Sequence, residues 1–307
     1  MERVRVGAGL TLGRLSADHG LKPLLAAAAA KAGAENSAVA FPEQAWDAAF
    51  FGLDRASAFR ALSAPRRREV LRACARGLLS ESCHIERVGL AFTAKMSLLS
   101  QTQEERQLYA LFAADEARHL HDVSRFLPAG PDAASSNPFL LLLGEIIERG
   151  GKPGLTRLIQ VVLEGWGLTH YGSLARACRD EALRRTLRAV IKDEALHHSS
   201  GVVLAQAAPL PRAERREVEE WLLRLCRMIQ AGPQAVVAAL EEVGGPLARR
   251  ERERAFNELS CESHAAERLA LMRGLIASCG EARILGALER NGAMRPLDAA
   301  GCARVRL

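Results

Sequence analysis

The chain has 307 residues, which is enough to bury a large hydrophobic core in one enlarged domain or in two. Its hydrophobic content of 49% is ordinary for a globular protein, and because no apolar run approaches the roughly 20 residues of a bilayer span, we expect no transmembrane helix. The net charge of +6 permits an anionic partner, but no DNA- or RNA-binding motif is visible, so nucleic acid is the less favoured partner.

The N-terminal part is rich in alanine and glycine. Residues 1–40 show little periodicity, so we predict partial disorder and one short helix near 21–33. A signal peptide is rejected, because Lys22 and Pro23 interrupt the stretch and its apolar part is mostly alanine. One or two short helices are predicted in 42–62.

Four long helices are predicted in the middle of the chain, at about Pro65–Leu99, Gln103 to about Phe126, about 155–178, and 181–207. A linker rich in proline, serine and asparagine at 128–137 and an apolar helix at Phe139–Ile147 separate the second of them from the third. Three further helices are predicted at Ala213–Gln230, Gln234–Val243 and Leu247–Ser278. No strand pattern appears, so the sequence indicates an all-α protein.

The seven cysteines favour reduced thiols and a cytoplasmic location. Their number is odd, and no two of them form a Cys-x-x-Cys pair, so neither a disulfide framework nor a zinc site is expected. Cys83 lies on the helical face of Glu86, and we interpret it as a small core residue.

One sequence pattern occurs twice: a glutamate followed, 30 residues later, by the glutamate of an Asp-Glu-x-x-His motif. The two copies are Glu86, Asp115, Glu116 and His119, and Glu164, Asp193, Glu194 and His197. Helical residues three apart share a face, so the glutamate and histidine of each Glu-x-x-His can contact one metal ion. A single copy would be weak evidence, but the repeat with equal spacing is strong.

The spacing suits two helical hairpins. Midway between Glu86 and Glu116 lies Gln101, and Thr102 with Glu105 has the spacing of a capping box for the next helix. A turn there would place the two glutamates level, about four turns or roughly 22 Å from the hairpin end. The second pair has its midpoint at residue 179, where Asp180 is a plausible N-cap.

Charged residues on helices usually belong to a solvated face. The surroundings of these glutamates instead favour a metal site. Glu164 lies in the run 158–166, where Gln160 is the only other polar residue. Glu86 is followed after Arg87 by five residues without charge. A buried carboxylate is costly unless it is paired or binds a metal.

The doubled pattern resembles the ferritin-like di-iron carboxylate proteins, which supply one glutamate from each of two helices and Glu-x-x-His from each of two others. Its Asp-Glu-x-x-His form is similar to the oxygen-activating branch, which includes methane monooxygenase hydroxylases, ribonucleotide reductase small subunits and p-aminobenzoate N-oxygenases. The resemblance covers about residues 66–205. It implies a ferritin-like four-helix bundle at 64–210, an N-terminal extension with short helices at 1–63, and C-terminal helices at 211–307 that pack on the bundle.

The resemblance also implies a set of ligands and cofactors. The metal ligands would be Glu86, Glu116, His119, Glu164, Glu194 and His197. Two iron ions would be the cofactor, with manganese–iron as the alternative, and dioxygen would be the co-substrate. Glu116 and Glu194 would bridge the metals. Asp115 would orient His197, and Asp193 would orient His119, as outer partners that fix the ring tautomer.

The two glutamates outside the Glu-x-x-His motifs are expected to lie on the catalytic side of the metal site. Glu86 and Glu164 are each followed three residues later by a glycine, Gly89 and Gly167, and we predict that these glutamates shift their coordination on the oxygen and substrate side. The glycines either leave space for substrate or only allow close helix packing. Tyr171, on the face of Glu164, is a candidate redox or pocket hydroxyl, with a core position as the alternative.

The expected function is a di-iron oxygenase or oxidase that hydroxylates, N-oxygenates or otherwise oxidises a small organic substrate. The alternatives are a ferroxidase or peroxide-scavenging protein and a di-iron tRNA-modifying hydroxylase. A ribonucleotide reductase radical is disfavoured because 120–124 contains no tyrosine, and Val190 stands where the N-oxygenases carry an extra histidine. No flavin or nicotinamide motif is visible, so an external electron donor is expected, and a homodimer is left open.

Overall fold

The structure is a computed structural model, and it describes residues 12, 15–16, 18–35, 39–127 and 137–305. Within these ranges every regular element is a helix and there is no strand, so the predicted all-α class is confirmed. Among the described helices, none combines the length and the hydropathy that a membrane span requires. The predicted linker at 128–137 lies outside the described residues apart from Asn137, as does much of 1–40.

The helices of the described ranges are numbered in chain order. They are α1 Leu21–Lys31, α2 Ser57–Arg60, α3 Ala64–Leu99, α4 Gln103–Ser124, α5 Pro138–Arg149, α6 Lys152–Leu155, the π-helix π1 Thr156–Leu163, α7 Glu164–Ala177, α8 Glu181–Ala207, α9 Arg212–Gln230, α10 Gln234–Gly244, α11 Arg249–Glu258, α12 Cys261–Ser278, α13 Ala282–Arg290 and α14 Ala299–Arg304.

Three features differ from the predicted elements. The predicted helix at about 155–178 begins as π1 and becomes α-helical only at Glu164. The single helix predicted at Leu247–Ser278 is wrong: the chain breaks between α11 and α12, where Ser260 adopts a left-handed conformation with φ 54°. The helices α13 and α14 were not anticipated from the sequence.

The chain divides into two compact units. The first comprises the described residues up to Phe41 together with Leu79–Leu155, and the second comprises Pro42–Leu78 together with the described residues from Thr156 onward. One boundary falls inside α3 and the other directly before π1. Each unit therefore contains one copy of the repeated sequence pattern. The three-part division at 1–63, 64–210 and 211–307 stays a prediction.

A capped turn aligns α3 with α4 in the first unit. The hydroxyl oxygen of Thr102 accepts a hydrogen bond from the backbone N–H of Glu105 at 3.2 Å, and the Glu105 carboxylate accepts one from the N–H of Gln101 at 2.8 Å. Thr102 is therefore the predicted N-cap, while the Glu105 carboxylate accepts from the residue before the cap and not from Thr102 itself, as a capping box would require. Beyond the turn, the rings of Phe92 and Tyr109 pack edge to face, with centroids 6.1 Å apart.

The second unit contains the matching hairpin of α7 and α8. Its turn is capped as predicted, because the Asp180 carboxylate accepts a hydrogen bond from the N–H of Leu183 at 2.8 Å. A separate hydrophobic core of this unit includes Leu53, Phe59, Val70, Val237 and Phe256. Val70 belongs to the first turns of α3, so that helix begins in the core of the second unit.

The π-helix π1 is fixed to α8 by buried polar side chains. Arg157 donates to the carbonyl oxygen of Ala205 at 2.9 Å and to the Glu281 carboxylate at 3.0 Å. Gln160, fully buried, packs against Gly201 of α8. A Cβ at position 201 would lie 2.7 Å from Cγ of Gln160, which is closer than real contacts allow. Gly201 therefore permits the close approach of π1 and α8.

This close approach predicts that Gly201→Ala destabilises the protein by about 1–3 kcal/mol, since the buried stem of Gln160 must move to admit a methyl group. The matched control is Gly274→Ala in α12, where an added Cβ meets nothing within 4 Å. That variant should be more stable than wild type by about 0.4–1 kcal/mol, because alanine restricts the unfolded chain. Denaturant unfolding measures both values, and equal effects of the two substitutions would contradict the contact.

Candidate metal centre

The first unit brings together one predicted ligand from α3 and two from α4. Glu86, Glu116 and His119 are all buried, with exposed fractions of 1%, 3% and 0%. Each offers a ligand atom, and these atoms lie within 4.8 Å of one another. Nδ1 of His119 is 3.3 Å from Oε2 of Glu86. We call these three residues the first triad.

A glycine of α3 makes room for the first triad. A Cβ at Gly89 would lie 2.2 Å from Oε2 of Glu116 and 2.5 Å from its Cδ. Any side chain at position 89 would therefore occupy the place of the Glu116 carboxylate. The space beside Gly89 is filled by a predicted ligand, so of the two alternatives for this glycine the structure favours close packing.

The second unit brings together the equivalent residues of α7 and α8. Glu194 and His197 are buried, Glu164 is half-buried, and their ligand atoms lie within 4.8 Å of one another. Nδ1 of His197 is 3.6 Å from Oε2 of Glu194. We call these residues the second triad. In both triads the histidine presents Nδ1 to a carboxylate, so the ring turns the same atom toward the glutamates.

The second triad is supported by π1. Gln160 donates from its side-chain amide to the carbonyl oxygen of His197 at 3.0 Å and to the hydroxyl of Ser200 at 2.8 Å. Glu164 is the first residue after π1, and π-helical turns occur frequently at functional sites. Sequence analysis missed this role of Gln160. The available signal was its position as the one polar residue, besides Glu164, in the apolar run.

The chemistry of each triad fits a hard divalent cation. Two carboxylates and one imidazole are oxygen and nitrogen donors of the kind that iron and manganese accept. Several carboxylates buried together repel one another and lose hydration, and a bound cation offsets both effects. All three ligands bind metal in the ionised carboxylate and neutral imidazole forms. The residues present therefore fit a metal ion.

The two predicted supporting aspartates are half-buried. Asp115 precedes Glu116 in α4, and its carboxylate accepts a hydrogen bond from Arg118 at 3.2 Å. Asp193 precedes Glu194 in α8. The Asp115–His197 and Asp193–His119 pairs stay predictions.

Tyr171 does not belong to a triad. It is buried in α7, two turns or roughly 10 Å along the axis from Glu164, and its ring lies 5.8 Å from that of His170. Gly167, the counterpart of Gly89, has nothing within 4 Å of an added Cβ. The two glycines that follow the isolated glutamates are therefore not equivalent.

Three histidines of the second unit lie outside the triad. Burial, together with the positive charge of Arg268, lowers the pKa of His170 to about 4, and the same two causes lower the pKa of His264 to about 4. Both rings are neutral near pH 7. His198, next to His197, faces α7, where a Cβ at Gly165 would lie 2.9 Å from its Cε1.

No protein-family model, curated protein or solved structure matches this chain. The family resemblance therefore rests on the repeated motif alone. The case for a metal site rests on that motif together with the geometry and burial of the two triads.

The contact at position 89 predicts that Gly89→Ala weakens metal binding by about 10-fold or more, because the new methyl group displaces the Glu116 carboxylate. Gly167→Ala is the matched control, since the same change at the equivalent position meets no neighbouring atom. Metal affinity is measured by titrating the metal-free protein with manganese(II) or, under anaerobic conditions, iron(II). Equal affinity of both variants and wild type would show that Glu116 is not a ligand.

Proposed function

We propose that the protein is a di-iron oxygenase or oxidase that acts on a small organic substrate. The observation that supports it is the presence of two buried triads of two glutamates and one histidine, each built from one copy of the repeated motif. Four carboxylates and two imidazoles form the ligand set of the di-iron carboxylate proteins. The ligands carry a formal charge of −4, which two iron(II) ions balance.

The protein supplies the positions of the ligands and their protonation state. When bound, a pair of iron(II) ions would supply the electrons and open coordination positions that dioxygen requires. The buried glutamates would hold such ions away from bulk water, and the hydrogen bond from Gln160 to the His197 carbonyl restrains the backbone of the second histidine. Such an enclosed site protects reactive species from water and stray reductants.

The ligands divide into a rigid and a mobile group. Glu116 and Glu194 are tied to their histidines through one helical turn, and we propose that they bridge the metals. Glu86 and Glu164 come from other helices and are the proposed mobile ligands. Glu164 is the less buried glutamate of the second triad and directly follows π1, which favours its movement during turnover.

Oxygenase activity is preferred over iron storage because of the helices that follow α8. A plain iron-storage subunit needs only the bundle helices, whereas this chain adds α9 to α14. The sequence contains no flavin or nicotinamide motif, so we propose that electrons come from a partner protein, a chemical reductant or the substrate itself.

Bridging ligands should affect both metals. We expect wild type to bind two irons per chain, and Glu116→Ala or Glu194→Ala to bind none, because each residue contacts both ions in the proposed site. Glu104→Ala, at an exposed glutamate of α4, is the control and should retain two. Metal analysis after anaerobic loading gives the counts. One remaining iron in either variant would indicate two independent single-metal sites.

The predicted aspartate roles require a more conservative change. Asp115→Asn and Asp193→Asn preserve side-chain size, so the fold should be unchanged while metal affinity or turnover falls by about 10–100-fold. Circular dichroism and denaturant unfolding check the fold, and metal titration measures the affinity. Wild-type affinity and turnover in both variants would show that the aspartates do not support the ligands.

The activity is tested by exposing the iron(II)-loaded protein to oxygen with amines, amino acids and acyl compounds. Oxygen uptake coupled to a product labelled from ¹⁸O₂ supports an oxygenase, and coupled uptake with an unlabelled oxidised product supports an oxidase. Uptake that instead deposits many ferric ions per chain would favour a ferroxidase. No oxygen uptake by protein that holds two irons would contradict the proposal.

A further inference from the structure

The second unit contains an arginine-rich groove that is separate from the triads. It lies between α9 and α13, encloses about 430 Å³, and is lined by Arg212, Arg215, Arg216, Glu219, Ala282, Arg283, Gly286, Ala287 and Arg290. Five guanidinium groups thus face one carboxylate. The volume falls within the range of roughly 300–1,000 Å³ typical of small-molecule sites.

The arginines of the groove are arranged by helical periodicity. On α9 the lining positions are 212, 215, 216 and 219, and on α13 they are 282, 283, 286, 287 and 290, so each helix presents one face. Arg283 and Arg290 are two turns apart, about 10 Å along the helix axis. Gly286 and Ala287 lie between them, so no large side chain fills the floor, and Nη1 of Arg290 lies over Gly286, 3.3 Å from where a Cβ would be.

One of the five arginines is held by contacts within the protein, and the other four are available to bind a ligand. Arg215 donates to the carbonyl oxygen of Leu210 at 3.0 Å and lies 3.6 Å from the buried Glu281 carboxylate, which also accepts from Arg157. In the part of the chain that the structure describes, no ion pair occupies Arg212, Arg216, Arg283 or Arg290. Glu289, an acidic residue in the last turn of α13, pairs with Arg273.

The two helix starts add to the positive potential. Arg212 is the first residue of α9, and Ala282 is the first of α13, so the amino ends of both helices adjoin the groove. Helix amino ends attract anions. Glu281, the N-cap of α13, is shared between Arg157 and Arg215, so two positive charges balance its single negative charge.

We propose that this groove binds a small molecule with several phosphate groups, of the size of a nucleoside triphosphate. Guanidinium groups bind phosphate oxygens through paired hydrogen bonds, and four available arginines around a floor of small residues can engage a short chain of phosphates. The limited span of about 10 Å between Arg283 and Arg290 suits such a molecule better than an extended nucleic-acid backbone.

Binding is tested by calorimetry with inorganic triphosphate and with ATP at low ionic strength. The groove variant is Arg283→Ala with Arg290→Ala. The control is Arg249→Ala with Arg250→Ala, an exposed pair on α11 that removes the same charge. We expect the groove variant to weaken triphosphate binding by about 10-fold or more and the control by less than about 2-fold. Arg283→Lys with Arg290→Lys should fall between them, because lysine keeps the charge without the paired hydrogen bonds.

Several results would overturn the proposal. Absence of triphosphate binding to the wild-type protein would do so, as would equal weakening in the groove and control variants, which indicates diffuse surface charge. Transfer RNA is titrated in the same way: RNA binding that the groove variant weakens more than the control variant does, with no binding of triphosphate, would assign the groove to nucleic acid instead. All three arginine variants replace exposed residues, and circular dichroism before each titration verifies that they fold.

Discussion

The burial of several carboxylates beside two histidines is the constraint on which the rest of this structure depends. Glu86, Glu116 and Glu194 are almost completely removed from water. An isolated buried carboxylate is destabilising by several kcal/mol, and like charges in proximity make this worse. A folded protein can tolerate such a set when cations neutralise it. The two triads are therefore hard to explain as structural charge pairs and easy to explain as metal ligands.

The register between paired helices brings the buried ligands together. The capped turn at Thr102 sets α4 level with α3, so that Glu86 and Glu116, which are 30 apart in sequence, meet across the hairpin. Within the first triad, Gly89 leaves the room that the Glu116 carboxylate fills. Within the second, Gln160 connects π1 to the carbonyl of His197. The supporting residues differ between the two copies although the ligands repeat.

The parts that could be predicted from the sequence are those with local or periodic signals. Thr102 and Asp180 are capping residues that act on neighbouring backbone N–H groups, and the Glu-x-x-His spacing follows directly from helix geometry. The π-helix could not be predicted, because the contacts of Arg157 and Gln160 with α8 join residues 48 and 37 apart and leave no local signal. The break at Ser260 was missed for a similar reason, since serine rarely adopts positive φ without support from its surroundings.

The most direct test of the metal-centre account is a crystal structure of the iron-loaded protein with anomalous diffraction data collected at the iron edge. The account predicts two anomalous peaks per chain, with the carboxylates of Glu116 and Glu194 bound to both and Nδ1 of each histidine bound to one. Absence of peaks at the triads, with the buried glutamates instead hydrogen-bonded to protein groups, would contradict it.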